Sequence, residues 1–582
     1  MKRFKLILVL FYFSISLKAQ SYLEKVHPSV WASMQGGQTE FFIILKEQGD
    51  ISAAQFLNEK EEKGEYVFKI LRGVAERTQA PIQAVLKTRN ADFNALWILN
   101  AIYVKRGDRT LIQELAQRED VVQIINNPKA HQSLPPAEDT YTSPQLQTRG
   151  AAQIAWGVTR IKADSVWALG YKGQNVVVAG EDTGYDWTHP ALKPKYRGWN
   201  GTAADHSYNW YDGIHADTSK KGNPCGYDIK APCDDDRHGT HTMGTMVGSN
   251  DTLITGVAPD SKWIGARNMD KGDGTLRSYV DCFQFFLAPT DTAGKNPLPK
   301  KAPHVINNSW YCSEGEGCNS SNFNVLENAV NACRAAGIVV VVSAGNSGSA
   351  CSTVSGPPAF FSKSFSVGAT RSDDTIASFS SRGPVTIDGS GRLKPNVSAP
   401  GVGILSTVPN NGFSGTFSGT SMAGPHVAGV VALMISANPA LAGQVDTIER
   451  IIESTAKAMT TTQNCGTIAG TQVPNHTYGF GRVDALAAVK KGLLFKRVSK
   501  IIENQRQIKV YPNPFSSEIT FYTEGIATDW QLTIYNVSGQ VMLSTRPNAS
   551  VFNVNLQDLI KGIYFYQLKN EREILSGKLV KQ

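Results

Sequence analysis

The stretch that decides the fold is Val176-Val-Val-Ala-Gly-Glu-Asp182-Thr-Gly184, an unbroken apolar run that ends in polar residues. A run without alternating polar residues is typical of a strand buried on both faces of a parallel sheet. Similar runs occur at residues 262–266, 305–307 and 338–343, and helical patterns at residues 278–287 and 324–335 alternate with them. The alternation predicts an α/β domain with a doubly wound parallel sheet, in which reactive groups gather at the carboxyl ends of strands. Asp182 lies at such an end.

His238 stands in the segment Asp236-Arg-His-Gly-Thr-His-Thr-Met-Gly244, where small residues are followed by an apolar-periodic run. This pattern predicts a histidine at the start of a helix. His238 and His241 are three residues apart with no glutamate between them, whereas a helical metal pair needs a spacing of four. On this segment alone, a purely structural histidine is the alternative.

Ser421 stands in the segment Phe417-Ser-Gly-Thr-Ser-Met-Ala-Gly-Pro-His-Val-Ala-Gly429. Pro425 suits the first turn of a helix, where its missing N–H costs little, and the apolar residues 427–436 continue that helix. Ser421 then lies at a helix N-terminus, whose N–H groups and dipole favour nearby negative charge. A serine that only caps the helix is the alternative.

Asn346 follows the valine-rich strand in the segment Ser343-Ala-Gly-Asn-Ser-Gly348. A side-chain amide at that place can donate a hydrogen bond to a developing oxyanion. Because Asn-Ser-Gly is also a common turn sequence, this segment is informative only together with the other three.

The four segments together closely resemble the subtilisin-like (subtilase) serine protease family across residues 150–490. The Asp-Thr-Gly, His-Gly-Thr-His and Gly-Thr-Ser-Met-Ala motifs are intact, in the order Asp182, His238, Asn346, Ser421. An α/β-hydrolase esterase places its serine first, in a Gly-x-Ser-x-Gly motif that Ala423 interrupts here. The resemblance implies that Ser421 is the nucleophile, His238 the general base and Asp182 its orienting partner. It also implies that Asn346 donates to the oxyanion.

The resemblance further implies the residues of a substrate groove, which are Ser309, Trp310, Gly272, Gly274, Gly345 and Gly356. The first two would carry a strand that pairs with the substrate backbone, and the next two would lie on its opposite side. The last two would form walls of the primary specificity pocket, where glycine leaves room for a large side chain. Tyr311 stands where family members usually have glycine, and it either narrows the groove or belongs to an ordinary surface loop.

The implied chemistry requires no cofactor, and we expect no metal among the catalytic groups. Structural calcium is common in the family, but no Asp-rich loop of this sequence has a decisive ligand pattern. The run Asp234-Asp-Asp236 beside His238 would either bind a cation or be solvated, and we expect it to be solvated.

The N-terminus has the pattern of a secretory signal peptide, because basic residues precede the apolar residues 6–17 and Ala19 follows them. We therefore expect residues 1–19 to be removed. An apolar run of about a dozen residues is too short for a bilayer, which needs roughly 20, so we expect no transmembrane anchor.

Export bears on the cysteines, because disulfides persist outside the reducing cytosol. All eight cysteines lie between Cys225 and Cys465, and the even number is compatible with four bridges. Cys225 with Cys233, and Cys312 with Cys318, are close enough to staple local loops. The irregular spacing and the lack of a Cys-x-x-Cys pair argue against a metal site.

Residues 20–149 form a separate region, whose patterns run in the order β-α-β-β-α-β and end in a Pro-, Ser-, Thr- and Gln-rich linker at residues 131–150. This order resembles the subtilase propeptides, which act as folding chaperones and intramolecular inhibitors. We therefore expect a small α+β propeptide and a maturation cleavage in the linker.

Residues 508–582 contain short period-two segments separated by turn residues, a pattern that predicts a small β-sandwich. The Tyr-Pro-Asn-Pro opening at residues 511–514 and the closing Gly577-Lys-Leu-Val-Lys-Gln582 resemble the C-terminal sorting domain of type IX secretion substrates. The resemblance implies transport through the periplasm by the type IX machinery, to the cell surface or the medium. A generic carbohydrate-binding or interaction module is the alternative.

The charge balance is mild, since 58 Lys and Arg against 50 Asp and Glu give +8 over 582 residues without a dense basic run. We therefore expect no nucleic-acid partner. The sequence as a whole predicts a secreted serine endopeptidase, made as a zymogen, that acts on protein or peptide substrates. The alternatives are a catalytically silent adhesion or binding protein on a protease scaffold, and a secreted esterase.

Overall fold

The computed structural model describes residues 22–131, 134–135, 152–216, 222–495, 508–523, 530–537, 539–547, 549–570 and 574–582. The expected signal peptide and most of the expected linker lie outside the described residues. The chain divides into two compact units, one that ends at Phe495 and a C-terminal unit that follows it.

The first unit contains an antiparallel sheet, a larger parallel sheet and several short strand pairs. Its strands are β1 (Gln38–Leu45), β2 (Phe93–Leu96), β3 (Ala101–Asp108), β4 (Val121–Asn126), β5 (Lys129–His131), β6 (Gln153–Ile154), β7 (Val177–Asp182), β8 (Trp210–Asp212), β9 (Leu253–Ile254), β10 (Lys262–Arg267), β11 (Met269–Asp270), β12 (Asp273–Thr275), β13 (Val305–Asn308), β14 (Val339–Ser343), β15 (Phe365–Thr370), β16 (Val397–Pro400), β17 (Ile404–Val408) and β18 (Gly412–Phe417). Its α-helices are α1 (Pro28–Ala32), α2 (Lys60–Thr88), α3 (Arg109–Ala116), α4 (Trp156–Arg160), α5 (Ala163–Trp167), α6 (His238–Val247), α7 (Leu276–Leu287), α8 (Phe323–Ala335), α9 (Thr420–Ala437), α10 (Val445–Thr455) and α11 (Ala485–Leu493).

The parallel sheet has the strand order β16-β15-β14-β13-β7-β10-β8, and all its neighbouring strands are parallel. After β7 the chain builds β8 and β10 on one side, and it then builds β13 to β16 on the other. The order of strands therefore reverses beside β7, and α/β domains bind ligands at the carboxyl ends of strands next to such a point. The predicted doubly wound α/β fold is confirmed, and Asp182 is the last residue of β7.

The apolar runs of the sequence are continuous because the sheet is covered on both faces. In β14, Val339 and Val341 pack into the core that contains α9, whereas Val340 and Val342 pack into the core that contains α7 and α8. Helix α9 is apolar around its whole circumference and long enough to cross a membrane. Since 89% of that helix is buried inside the protein, it is the central core helix of this unit.

The N-terminal part of the first unit is the four-stranded antiparallel sheet β2-β3-β1-β4. With α2 and α3 it runs in the order β1-α2-β2-β3-α3-β4, which is the order that the sequence pattern predicts. Phe41 and Ile43 of β1 pack with α2 and α3, while Phe42 and Ile44 share a core with α7 and α8. Both faces of this small sheet are therefore covered, one by its own helices and the other by the α/β domain.

Three disulfides join Cys225 to Cys233, Cys312 to Cys318, and Cys351 to Cys465. The two local pairs are those that the sequence favours. A fourth bridge is not formed, because Cys282 and Cys333 are free thiols buried in the core around α7 and α8.

The C-terminal unit is a β-sandwich, as predicted. Its strands are β19 (Ile508–Tyr511), β20 (Glu518–Thr523), β21 (Gln531–Asn536), β22 (Val541–Thr545), β23 (Val551–Asn555), β24 (Gly562–Lys569) and β25 (Ile574–Lys581). They form the sheets β19-β20-β23 and β22-β21-β24-β25. Phe521 of the first sheet and Leu532, Ile534 and Leu568 of the second contribute to one buried core.

Candidate active site

Asp182 is buried at the carboxyl end of β7, and its carboxylate is held by three groups. Oδ1 lies 2.6 Å from Nδ1 of His238 and accepts a 2.8 Å hydrogen bond from the N–H of Thr183. Oδ2 accepts a 3.2 Å bond from the hydroxyl of Thr242. Because an ionised carboxylate can only accept, the proton of the His238 contact belongs to Nδ1, which leaves Nε2 as the reactive nitrogen.

His238 is the first residue of α6, and the carboxylate of Asp234 fixes the start of that helix. Asp234 accepts hydrogen bonds from the N–H groups of Asp236, Arg237 and Thr240, at 3.0, 2.9 and 2.9 Å. The glycine after the histidine is required by packing, since a Cβ on Gly239 would lie 2.0 Å from the carbonyl oxygen of Gly184. Asp234 and Gly239 therefore allow the start of α6 to pack closely against the end of β7.

The run Asp234-Asp-Asp236 is not solvated as expected. The side chain of Asp234 accepts from Thr183, Thr240 and the neighbouring backbone, and that of Asp235 pairs at 2.8 Å with buried Arg267. Only Asp236 is exposed. The partners come from β10, α6 and the loop after β7, so the sequence of the acidic run alone does not disclose them.

Two opposing effects set the protonation of His238. Burial is the largest single effect and disfavours the imidazolium, but the carboxylates of Asp182, Asp236 and Asp234 together outweigh it, so the pKa of His238 is raised above its ordinary value. Glu181, one residue before Asp182, is fully buried, and burial raises its pKa well above the ordinary value. Burial therefore favours the neutral form of Glu181, whereas Asp182 is the residue that contacts the imidazole.

His241 is the structural histidine of the segment. Its Nε2 donates to the carbonyl oxygen of Ile404 at 2.9 Å, and its ring stacks on Phe417 with 4.4 Å between the centroids. Burial lowers the pKa of His241 to about 3, so it stays neutral. The His-Gly-Thr-His motif thus contains one histidine that pairs with a carboxylate, His238, and one that packs against Phe417, His241.

Ser421 is the second residue of α9, which packs against α6. The helix begins at Thr420, so Ser421 lies at a helix N-terminus as predicted, whereas Pro425 is the sixth residue and lies beyond the first turn in which the sequence analysis places it. Pro425 cannot donate to the carbonyl oxygen of Ser421, and the hydroxyl of Ser309 makes that bond instead, at 2.8 Å. The hydroxyl of Ser421 donates to the carbonyl oxygen of Ser309 at 3.1 Å. Ser309 therefore secures both the helix start and the serine.

Asn346 follows β14 and faces the same helix start. Its Oδ1 accepts hydrogen bonds from the N–H and the hydroxyl of Thr420, both at 2.9 Å. With the oxygen held there, the amide nitrogen is directed to the side of Gly419, where it lies 3.6 Å from the position that a Cβ would take. Asn346 Nδ2 and the first N–H groups of α9 are consequently brought to one place.

The other residues that the sequence analysis assigns to a groove follow β11, β13 and β14 or lie on β12. Gly274 is on β12, where a Cβ would lie 2.4 Å from the hydroxyl of Tyr279. The ring of Trp310 is buried and stacks on Tyr279 with 3.8 Å between centroids, so its side chain belongs to the core. Gly272 and Gly345 have φ of +83° and +104°, which favours glycine there.

Tyr311 lies against the wall that the sequence analysis treats as open. A Cβ on Gly356 would lie 2.8 Å from the Tyr311 ring and 3.0 Å from the carbonyl oxygen of Cys312. Tyr311 is half-buried, and this burial raises the pKa of its hydroxyl. The space beside Gly356 is therefore occupied by a tyrosine side chain.

The end of the N-terminal region reaches this centre. Strand β5 pairs antiparallel with β12, with His131 opposite Asp273 and Ala130 opposite Gly274. Three residues after His131, the Leu134 side chain is 3.4 Å from the Cβ position of Gly419. Sequence reasoning missed these contacts, because nothing within β5 itself indicates a partner so far along the chain.

Among the residues that the structure describes, no group of three or more His, Cys, Asp or Glu side chains is arranged to hold a metal ion. The oxygen atoms of Asp234 and Asp235 that could serve calcium are engaged by hydroxyl, N–H and guanidinium donors.

Comparisons with known proteins place these features in context. Residues 173–481 match the Subtilase family, and residues 509–582 match the family described as the secretion system C-terminal sorting domain. Bacillopeptidase F of Bacillus subtilis (strain 168) is 36% identical over 450 residues, which cover 74% of this chain and 29% of that protein. Subtilisin DY of Bacillus licheniformis is 35% identical over 294 residues, which cover 50% of this chain and 88% of that protein. Subtilisin E of Bacillus subtilis (strain 168) is 32% identical over 292 residues, which cover 50% of this chain and 63% of that protein. The match therefore spans less than a third of Bacillopeptidase F but most of Subtilisin DY.

Proposed function

Because the chain belongs to the subtilase family, we propose that it is a serine endopeptidase in which Asp182, His238 and Ser421 hydrolyse peptide bonds through an acyl-enzyme. The observation that carries the proposal is the buried 2.6 Å contact between Asp182 and His238, at the edge of the sheet where α9 presents Ser421. The three side chains come from β7, α6 and α9, whose ends are fixed by packing and hydrogen bonds. Such fixed geometry is what nucleophilic catalysis by a serine requires.

In the acylation step, the hydroxyl oxygen of Ser421 attacks the peptide carbonyl carbon and its proton passes to Nε2 of His238. Asp182 holds the ring through Nδ1 and stabilises the imidazolium that forms. The proton then passes from His238 to the leaving amine nitrogen as the C–N bond breaks. In deacylation, water attacks the ester carbonyl, gives its proton to His238, and Ser421 recovers a proton when the acid is released.

The negative charge of the tetrahedral intermediate forms on the former carbonyl oxygen. Asn346 Nδ2 and the N–H of Ser421 are the donors proposed to stabilise it, and the dipole of α9 favours charge at this end. Removal of the side-chain donor in a family member lowers turnover by about 10²–10³, so we assign a similar share to Asn346.

We further propose that residues 20–131 inhibit the enzyme until they are released. The pairing of β5 with β12, together with the contact of Leu134 with Gly419, supports occupation of the groove by this region. Since His131 and Leu134 flank the centre, the first maturation cut is proposed between these two residues. N-terminal sequencing of the mature protein should then find a start at Gln132, Ser133 or Leu134, or further along if trimming follows.

The C-terminal unit is a secretion sorting domain, and the protein is a type IX secreted protein of the extracellular space or the cell surface. Its partner during export is therefore proposed to be the type IX secretion machinery. Its substrates are proposed to be proteins or peptides outside the cell.

The proposed chemistry is tested by Ser421→Ala, with Ser436→Ala at the other end of α9 as the matched control. We expect the first variant to lose casein hydrolysis by about 2 × 10⁶ in turnover, the loss seen for the nucleophile of a family member, and to remain unprocessed at residues 131–134. The control should behave as the wild type. Unchanged hydrolysis in the Ser421 variant, or a wild-type protein that cleaves esters but no peptide, would rule out the proposed function.

A further inference from the structure

Strand β5 shows how a peptide backbone lies on the edge of β12. Register places His131 opposite Asp273, and the imidazole Nδ1 donates to the carboxylate of Asp273. Ala130, between His131 and Lys129, turns to the opposite face and is buried. Because side chains alternate along a strand, Lys129 and His131 share the face that looks away from the core.

A second carboxylate reaches the same residue from the other side of the groove. Glu316 accepts the N–H of His131 through Oε1 at 2.6 Å, and through Oε2 it accepts the N–H and the hydroxyl of Ser313, both at 2.7 Å. Its loop is closed by the disulfide between Cys312 and Cys318. Glu316 is thereby held at a fixed place beside β5.

We propose that Asp273 and Glu316 form an acidic subsite of the substrate groove, which selects peptides with a cationic side chain at the position taken by His131. This position lies within three residues before the cleaved bond, since Leu134 already lies beside Gly419 and Asn346. The proposal rests on the proposed function and specifies its substrate class, namely peptides with Lys, Arg or protonated His there.

The exposure of the subsite and its charge determine how strongly it discriminates between substrate side chains. The Asp273 side chain is 17% exposed and that of His131 is 50% exposed, so water screens the ion pair in part. Asp273 contacts the side chain at this position and Glu316 contacts its backbone N–H, so a lysine there would be attracted directly by Asp273 and at longer range by Glu316, whereas a glutamate would be repelled. We therefore expect about a tenfold difference in kcat/KM between these two side chains, which is larger than a single exposed pair would produce.

The test uses the mature enzyme and quenched peptides with the chain's own sequence at residues 127–137, in which the residue at position 131 is Lys, Gln or Glu. Use of the native sequence keeps the register of β5. Wild-type enzyme should prefer Lys to Glu by about tenfold at low salt, and the preference should shrink at 1 M salt, where the Debye length is about 3 Å. The double variant Asp273→Asn, Glu316→Gln should prefer neither by more than about twofold.

Glu314→Gln provides the matched control, because it removes one charge from the same disulfide-closed loop while none of the described contacts of His131 involves Glu314. It should keep most of the wild-type preference. Equal cleavage of all three peptides by the wild type would overturn the subsite, and so would an unchanged preference in the double variant. Failure to cleave even the Gln peptide would instead count against the proposed function.

Discussion

At the scale of single residues, the contact between Asp182 and His238 determines the pH below which the proposed reaction loses its activity. A general base must be neutral to accept a proton, and the pKa of His238 is raised above 6.5 because Asp182, with help from Asp236 and Asp234, outweighs the effect of burial. Activity should therefore be lost as pH falls through a value above 6.5. In Asp182→Asn the carboxylate is gone while burial remains, so the pKa of His238 should fall.

The measurement is kcat/KM between pH 4 and 10 for wild type and Asp182→Asn. We expect the variant to lose about 10⁴ in kcat, and its residual activity to persist to lower pH than in the wild type. Asp186→Asn, which neutralises a half-buried carboxylate four residues later, is the control and should leave the pH dependence of kcat/KM unchanged. An acid limb that does not move in Asp182→Asn would contradict this assignment.

Tyr311 is the residue that we expect to restrict the primary specificity pocket. Its ring lies in contact distance of Gly356, which the resemblance to subtilases assigns to a wall of that pocket. Tyr311→Gly should raise kcat/KM for peptides with Phe or Leu before the cleaved bond, relative to Ala, by roughly tenfold or more. Tyr311→Phe keeps the ring and should keep the wild-type preference. Identical profiles for Tyr311→Gly and wild type would assign Tyr311 to the surface loop.

At the scale of elements, strands were predictable where the amino-acid pattern is sufficient by itself. The run at β14 indicates burial on both faces because its alternate valines enter two different cores. The position of Ser421 at the start of α9 was predictable, but the place of Pro425 inside the helix was not, because the hydroxyl of Ser309 replaces the N–H that Pro425 lacks. The same holds for Asp235, whose partner Arg267 lies on β10. Local pattern thus predicts elements and the residues at their ends, whereas bonds between distant elements need coordinates.

The disulfides also differ in what they contribute. Cys351–Cys465 spans 114 residues, while Cys225–Cys233 spans eight. In the chain-entropy account, the longer loop constrains the unfolded chain more, so its loss should lower the free energy of unfolding by about 5 kcal/mol against about 2.5 kcal/mol. Paired Cys→Ser variants of each bridge, unfolded in urea in the Ser421→Ala background, measure this. Equal losses for the two pairs would contradict the entropic explanation.

At the scale of the whole molecule, the first unit joins an N-terminal region and an α/β domain through one core. Phe42 and Tyr103 of the small sheet and Phe283 of α7 belong to the same cluster. The polar contacts around it are specific as well, since the Gln284 side chain accepts the N–H groups of Trp97 and Ile98 at 2.8 and 3.2 Å. Release of the N-terminal region would therefore expose a large apolar face, and a proteolytic cut alone need not cause it to dissociate.

Lys60, the first residue of α2, should make that dissociation depend on pH. Its ammonium is buried and donates to the carbonyl oxygen of Ala302 at 2.9 Å, and burial lowers the pKa of Lys60 to about 8. In the released region this lysine returns to water and to its ordinary pKa of 10.5. Between these two values the free N-terminal region binds more protons than the complex does. The association constant should therefore rise by roughly one to two orders of magnitude between pH 8 and 10, and it should change little below pH 8. Inhibition of the mature wild-type enzyme by residues 20–131, measured as the inhibition constant between pH 7 and 10, gives the affinity. Lys60→Met should abolish the pH dependence of this affinity. Lys69→Met removes an exposed lysine of the same helix and should preserve the pH dependence. An equal pH dependence in both variants would show that another group is responsible.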